Sequence, residues 1–235
     1  MTKTFTHLSV TFDYHLILEK RRTMVIAIKP DLSVIVKAPL HAEEEKIEDF
    51  LRHKLRWILK HRRYYAQFKP ALPKEYVNGE SFRYLGQSYA LSVQGVAGSE
   101  EVAVQEGLLT VFSRRPHSPL YTAKLLQSWY AQEAAHIFAE RLQICAERFV
   151  PDNLPALAIR TMKSRLGSYS TRTHRVCLSA DLIKVDLKYI DYVIIHELCH
   201  ITHLSHNKNF YHLLSRCLPE WKQLEAELES SLLSQ

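Results

Sequence analysis

The amino-acid sequence predicts an α+β fold in which a β-rich N-terminal unit precedes a mainly helical second half. Two observations predict this class. Strand-like runs of β-branched and aromatic residues dominate the first 115 residues, and a series of segments with helical periodicity begins near residue 120. A loop over 114–119 separates the two patterns. We therefore predict two domains, residues 1–115 and residues 116–235.

The N-terminal unit opens with a predicted β-hairpin or meander. Strand-like runs cover residues 8–18, 24–28 and 33–36. Residues 29–32 predict a turn between the last two runs, because they contain a proline, which presets φ, and an aspartate, which accepts local hydrogen bonds.

A basic amphipathic helix is predicted after Pro39. Three glutamates over 43–45 suit the positive N-terminal end of a helix, and apolar residues then recur at helical spacing. The opposite face, over residues 52–63, combines cations with aromatic rings and is the candidate contact for nucleic acid. A solvated charged face is the commoner explanation, so we expect little specific binding. The basic residues are Arg52, His53, Lys54, Arg56, Lys60, Arg62 and Arg63.

The rest of the chain alternates between short strands and helices. Strands are predicted at 81–85, 89–93, 102–104 and 108–112, with glycines near their ends, and a long amphipathic helix follows at 120–149.

Two further strands and two helices complete the C-terminal half. The strands are predicted near 158–162 and 176–178, and the helices around 189–203 and 208–217.

The first of these C-terminal helices carries an HExxH motif formed by His196, Glu197 and His200. Residues at i and i+4 share one helix face, so the two histidines can bind one metal ion. Neutral imidazole is a good zinc ligand, and the glutamate can act as a general base on water at the metal. The apolar run over 190–195 before the motif is typical of a buried catalytic helix.

The third metal ligand is predicted to be His206 rather than His203. A ligand seven residues after His196 on the same helix would lie roughly 10 Å away along the axis, too far for zinc–nitrogen bonds of about 2.0–2.1 Å. Ser205 and Asn207 flank His206 and indicate a helix break followed by a new start, which lets the chain turn back toward the metal.

These motifs resemble the YgjP-like zincin family of small predicted metallopeptidases. The matching segments are MKSRLGSYS at 162–170, IDYV at 190–193, HELCH at 196–200 and HNKNFY at 206–211. The resemblance extends over essentially the whole chain. In the N-terminal half it includes Arg21-Arg22-Thr23, Pro39, the helix with Lys54 and Trp57-Ile58, and Tyr84-Leu85-Gly86 followed by Tyr89.

The resemblance implies a minimal zincin core with one Zn²⁺ per chain. It implies that His196, His200 and His206 bind the metal and that Glu197 is the general base. A peptide or protein would be the substrate.

Two residues depart from the family pattern. The family usually has tryptophan at the position of Leu166 and cysteine at the position of Tyr169, and neither residue is among the implied metal ligands. Arg165 is a candidate for steadying a developing oxyanion, or it pairs with Asp181 or Asp191. The strand that holds Val176 and Leu178 is predicted to border the cleft, where an edge strand can bind an extended peptide.

The leading hypothesis is therefore a zinc-dependent hydrolase, specifically a metallopeptidase. The alternatives are a metal-dependent nucleotide pyrophosphatase or phosphohydrolase, and a nucleic-acid-binding module with a structural zinc site. A net charge of +6 is compatible with anionic partners but is modest. No apolar run approaches the roughly 20 residues of a membrane span, and no signal peptide is apparent, so we expect a cytoplasmic protein without membrane contact.

Overall fold

The computed structural model describes residues 1–8, 10–66, 73–147, 153–162 and 165–233, and its elements are mixed, as the α+β prediction requires. Lys163 and Ser164, which belong to the segment quoted for the family resemblance, lie outside the described residues. The contacts within the chain define two compact units, Met1–Leu72 and Pro73–Leu233. Among the described residues, no helix combines the length and apolar character that crossing a membrane requires.

The first unit is a four-stranded sheet covered by one helix. The strand order is β1-β2-β4-β3, in which β2 and β4 are parallel and the other neighbours are antiparallel. The predicted turn before β4 is present, since the Leu32 N–H donates to the Lys29 carbonyl at 2.9 Å. The elements are β1 (Thr2–His7), β2 (Val10–Glu19), β3 (Val25–Ile28), β4 (Val34–Pro39) and α1 (Glu44–Tyr65).

The core of the first unit forms between α1 and one face of this sheet. The alternating burial of β2 and β4 places Tyr14 and Val36 inward, against Ile47, Leu51 and Ile58 of the helix. Full burial of each such side chain contributes about 1.5–3 kcal/mol, so this layer holds the helix on the sheet.

The second unit begins with another four-stranded sheet, in the order β5-β6-β8-β7. A long helix, α2, follows it and is capped by Ser118, whose hydroxyl accepts from the Tyr121 N–H. The elements are β5 (Ser81–Tyr84), β6 (Gln87–Gly95), β7 (Glu101–Gln105), β8 (Leu108–Ser113) and α2 (Pro119–Ala146).

This sheet groups with the C-terminal half, whereas the sequence analysis placed the domain boundary at 115–116. The turn between β5 and β6 explains the difference. The N–H groups of Leu85 and Gly86 donate to the carbonyls of Ile183 and Lys184 at 2.9 and 3.2 Å. These long-range bonds join the sheet to the 3₁₀ helix Ala180–Lys184, and no local pattern in the sequence encodes them.

The remaining elements surround one buried helix, α3. A three-stranded sheet has the order β10-β11-β9, with β10 at its edge. Ile190, Ile194 and Leu198 of α3 are fully buried and form the centre of the core. The elements are β9 (Ala156–Arg160), β10 (Gly167–Ser170), β11 (Arg175–Ser179), α3 (Leu187–Cys199), α4 (Lys208–Cys217) and α5 (Trp221–Leu233).

Candidate metal centre

The helix that carries the HExxH motif is fixed at both ends. Asp186 is its N-cap and accepts from the Lys188 N–H at 3.0 Å, which satisfies one of the donors that a helix start leaves unpaired. The apolar residues Ile190 and 192–195 then bury the helix. His196 and Glu197 lie in the last turn, and His200 is the C-cap residue.

The chain turns back after this helix, as the sequence analysis predicted. Helix α3 ends at Cys199, four residues earlier than the predicted end at residue 203. Asn207 then caps α4, because its side-chain oxygen accepts from the Phe210 N–H at 3.0 Å. His206 directly precedes this cap, so the new helix start determines where its imidazole lies.

Three imidazoles converge at this turn. One ring nitrogen from each of His196, His200 and His206 lies within 4.8 Å of the other two. The Nε2 atoms of His196 and His206 are 2.9 Å apart. The imidazole of His203 is not part of this cluster. Instead, the backbone carbonyl oxygen of His203 lies 2.9 Å from Nδ1 of His200.

The donor set fits a zinc ion. A carbonyl oxygen can only accept, so Nδ1 of His200 carries the proton and Nε2 keeps its lone pair for a metal. Tetrahedral Zn–N bonds place ligand nitrogens about 3.3 Å apart. The Nε2 atoms of His196 and His206 are 2.9 Å apart, and all three ring nitrogens lie within 4.8 Å of one another, so small shifts would reach this spacing. Nδ1 of His196 is buried and has no hydrogen-bond partner in the described part of the chain.

Electrostatics favour the neutral imidazoles that metal binding needs. Burial, followed by the nearby His206 and His200, lowers the pKa of His196 to about 4. Burial and His200 also lower the pKa of His206. Both rings are therefore unprotonated at neutral pH, with lone pairs available.

Phe210 supports all three imidazoles, a role that the sequence analysis did not identify. Its ring is fully buried and its centroid lies 5.0, 4.7 and 4.7 Å from the rings of His196, His200 and His206. Its position three residues after the helix cap is the sequence signal that could have indicated this packing.

Glu197 is the buried carboxyl group of the site. Its side chain is 6% exposed, and burial raises its pKa to about 7. A hydrogen bond from the backbone of Tyr169 and the positive charge of Arg165 both oppose this rise. A carboxyl group with a pKa near neutrality can both accept and return a proton.

A cleft of about 550 Å³ contains both the histidine cluster and Glu197. Strand β10 forms one wall and helix α3 the other. Arg165 is exposed at this cleft and forms no ion pair with Asp181 or Asp191. Asp181 pairs with Lys184 instead, and Asp191 pairs with Arg141. The lining residues are Arg165, Leu166, Gly167, Ser168, Tyr169, Tyr192, Val193, His196, Glu197, His200, Leu204 and His206.

The two departures from the family pattern both lie on this wall. Leu166 and Tyr169 line the cleft, and the Tyr169 hydroxyl is held 2.8 Å from Nδ1 of His174. Differences at these positions therefore alter the surface that a substrate would meet.

The prediction for Val176 and Leu178 is wrong. Both are fully buried, neither lines the cleft, and their strand β11 is the central strand of its sheet. A central strand has backbone partners on both sides, so it cannot accept a peptide by strand addition. The edge strand beside the cleft is β10.

The basic face of α1 is present and mostly exposed. Arg52 already pairs with Glu48 and Asp49, which reduces its availability to a phosphate. Trp57 is 40% exposed and packs on His61, with ring centroids 4.0 Å apart.

Comparison with known proteins gives one family. The model for "YgjP-like, metallopeptidase domain" matches residues 22–231. No curated protein matches the chain. Among solved structures, the metallopeptidase zymogen abylysin of Pyrococcus abyssi is 19% identical with a TM-score of 0.38, and covers 42% of this chain and 97% of its own. The zymogen jannalysin of Methanocaldococcus jannaschii is 20% identical with a TM-score of 0.37, covering 40% and 89%.

Proposed function

The chain belongs to the YgjP-like metallopeptidase family, and on that premise we propose that it is a zinc-dependent peptidase with one metal ion per chain. His196, His200 and His206 hold the zinc in this proposal, and Glu197 is the general base. One observation carries it: three imidazoles converge within 4.8 Å in the same cleft as a buried carboxyl group. A purely structural zinc site would not need that carboxyl group.

The zinc, when bound, supplies Lewis-acid polarisation in a cleft open to substrate. Glu197 accepts a proton from the attacking water at a carboxylate oxygen and passes it to the nitrogen of the leaving amine. Its pKa of about 7 suits both transfers. The backbone of Tyr169 keeps the carboxyl group in place throughout.

The cleft walls support an extended peptide as the substrate. Strand β10 is an edge strand, and an extended chain can add to such an edge by main-chain hydrogen bonds. Arg165 lies at the cleft and carries a positive charge close enough to lower the pKa of Glu197. In this proposal Arg165 also stabilises the negative charge that develops on the carbonyl oxygen.

A metal analysis combined with a hydrolysis screen tests the proposal. Purified protein should contain about one zinc per chain, and it should cleave members of a random peptide library. A chelator should remove this activity and added zinc should restore it. A nucleoside triphosphate in the same screen tests the phosphohydrolase alternative, and its hydrolysis without peptide cleavage would overturn the proposal.

The variant Glu197→Gln separates catalysis from metal binding. It keeps the side-chain volume and all three histidines but loses the base. We expect normal zinc content and a rate lower by roughly 10²–10⁴-fold, or about 3–5 kcal/mol. The matched control Glu229→Gln, at an exposed position of α5, should leave the rate unchanged. Full activity of Glu197→Gln with zinc bound would contradict the role of Glu197.

A further inference from the structure

The first unit contains a cavity of about 930 Å³ that the proposed peptidase function does not use. It is lined by residues 20–24, residues 39–42, Lys46 and Phe50. Strands β2 and β4 are parallel neighbours and both end here, with Glu19 paired to Pro39 in register. Crevices at the carboxyl ends of parallel strands are frequent ligand sites.

The lining of this cavity is basic. Its basic residues are Lys20, Arg21, Arg22, His41 and Lys46, and no carboxyl group lines it in the described part of the chain. Glu19 pairs with Arg21 at 3.1 Å, and Glu43 pairs with Lys46 at 2.9 Å. Lys20 and Arg22 are exposed and have no ion pair with any described residue, so their charges are available to an anion.

The start of helix α1 and one buried side-chain donor are the second feature of the cavity. Helix α1 begins beside it, and the N-cap residue Glu43 makes no side-chain cap. The N–H groups of the first turn therefore lack a side-chain cap, and two carboxylates of this turn are paired, Glu43 with Lys46 and Glu44 with Lys3. The turn is bracketed by Ala42 and Lys46, both of which line the cavity. Nε of Arg21 is buried and has no partner among the described residues.

Apart from Thr23, the rest of the lining is apolar. Met24, Pro39 and Phe50 are half-buried, and they offer a surface for a ring or an alkyl group. The cavity volume lies within the range of about 300–1,000 Å³ that is typical of small-molecule sites. We infer that this cavity binds a phosphate ester, with the phosphate on Lys20 and Arg22 and with an apolar or aromatic body against Met24 and Phe50.

Phenyl phosphate is the probe for this site, because it combines a dianion with a small ring. In a titration of the full-length ¹⁵N-labelled protein, we expect amide shifts confined to residues 20–24 and 42–46. The double variant Lys20→Gln/Arg22→Gln should weaken binding by roughly tenfold or more, since charge-assisted hydrogen bonds are lost. Lys29→Gln removes the same kind of charge at an exposed turn outside the cavity and should leave the affinity unchanged.

Two further measurements separate the parts of the ligand. Phe50→Ala should weaken phenyl phosphate but not inorganic phosphate, because only the ester has a ring to pack. Benzoate, a monoanion with the same ring, should bind more weakly than phenyl phosphate. Shifts located elsewhere, an equal loss with Lys29→Gln, or equal binding of benzoate would each overturn the inference. None of these readouts depends on peptidase activity, so the inference and the proposed function fail separately.

Discussion

Gly167 lies directly against Glu197. A methyl group built on this glycine would be 2.8 Å from Oε1 and 2.9 Å from Cγ of the glutamate, and 3.0 Å from a methyl group of Val193. These separations are too short for any side chain, so the absence of a Cβ allows β10 to approach the helix. The same approach brings the backbone of Tyr169 into hydrogen-bond contact with Glu197.

The first prediction is that Gly167→Ala lowers kcat while zinc content stays normal. The added methyl group displaces the Glu197 carboxyl group but touches no histidine of the cluster. Displacement by about 1 Å can cost around 10²-fold in rate, and we expect a loss of that order. Steady-state kinetics with metal analysis measure both quantities.

Two variants make this prediction specific. Gly98→Ala is the matched control, because nothing lies within 4 Å of a Cβ at that position. In the presence of Glu197→Asp, whose side chain is shorter, Gly167→Ala should cost less than it does in the wild type. An equal cost in both backgrounds would show that the methyl group does not act through Glu197.

Local signals in the sequence were sufficient to predict that three imidazoles converge. The HExxH spacing places two imidazoles on one helix face, and the break at Ser205–Asn207 returns the third, so their convergence is encoded within eleven residues, 196–206. The predicted helix 208–217 is confirmed with the same bounds as α4.

Long-range pairing explains what could not be predicted. The apolar pattern of Val176 and Leu178 indicated a strand but not its place in the sheet, which depends on parallel pairing with β9 across a separation of about twenty residues. The contact between Gly167 and Glu197 likewise joins segments thirty residues apart. No spacing rule connects such positions.

The second prediction distinguishes the two candidate third ligands. His206→Ala removes one of three converging imidazoles and should weaken zinc binding by a large factor. His203→Ala keeps the backbone carbonyl that faces His200 and should retain zinc. Competition with a chromophoric chelator measures both affinities. Loss of zinc from His203→Ala alone would refute the assignment of His206.

The third prediction concerns the pH dependence of the metal-free protein. The lowered pKa of His196, about 4, means that the unfolded chain binds more protons between about pH 6.5 and 4, so this group reduces stability as the pH falls through that range. The raised pKa of Glu197, about 7, acts in the opposite direction, because the folded state binds more protons between about pH 7 and 4.5. The two effects oppose each other in the wild type.

Single variants reveal these opposing effects. Relative to the wild type, His196→Gln should gain stability as the pH falls from 7 to about 4.5, since the opposing effect of His196 is absent. Glu197→Gln should lose stability between about pH 6.5 and 4. Urea midpoints of the chelator-treated proteins give the comparison. Parallel pH profiles for both variants would contradict the prediction.

The fourth prediction concerns the basic face of α1. We expect DNA binding only at low salt, because Arg52 is already paired and Lys54, Arg56 and Lys60 are exposed to solvent. Reversing Lys54, Arg56 and Lys60 to glutamate should abolish this weak binding, whereas Lys124→Glu on α2 should not. Fluorescence anisotropy at several salt concentrations measures it. Tight binding at physiological salt that the triple variant destroys would instead establish a nucleic-acid site.

The last prediction concerns the ion pair between α2 and α3, which holds the helix of the metal cluster in place. Asp191 accepts from Nε and Nη2 of Arg141 at 2.7 and 2.5 Å, and both side chains are 23% exposed. Asp191→Asn leaves the guanidinium without its charged partner and should cost about 2 kcal/mol. This is less than the 3–5 kcal/mol for fully buried pairs, because water still reaches both groups.

Asp181→Asn, which breaks a more exposed pair, should cost roughly 0–1 kcal/mol. The double variant Arg141→Met/Asp191→Leu should recover most of the loss, since it leaves no unpaired charge. Urea unfolding of the zinc-loaded proteins measures all three changes. If the loss in the double variant equalled the sum of the losses in Arg141→Met and Asp191→Leu, the pair would not act through the compensation of its charges.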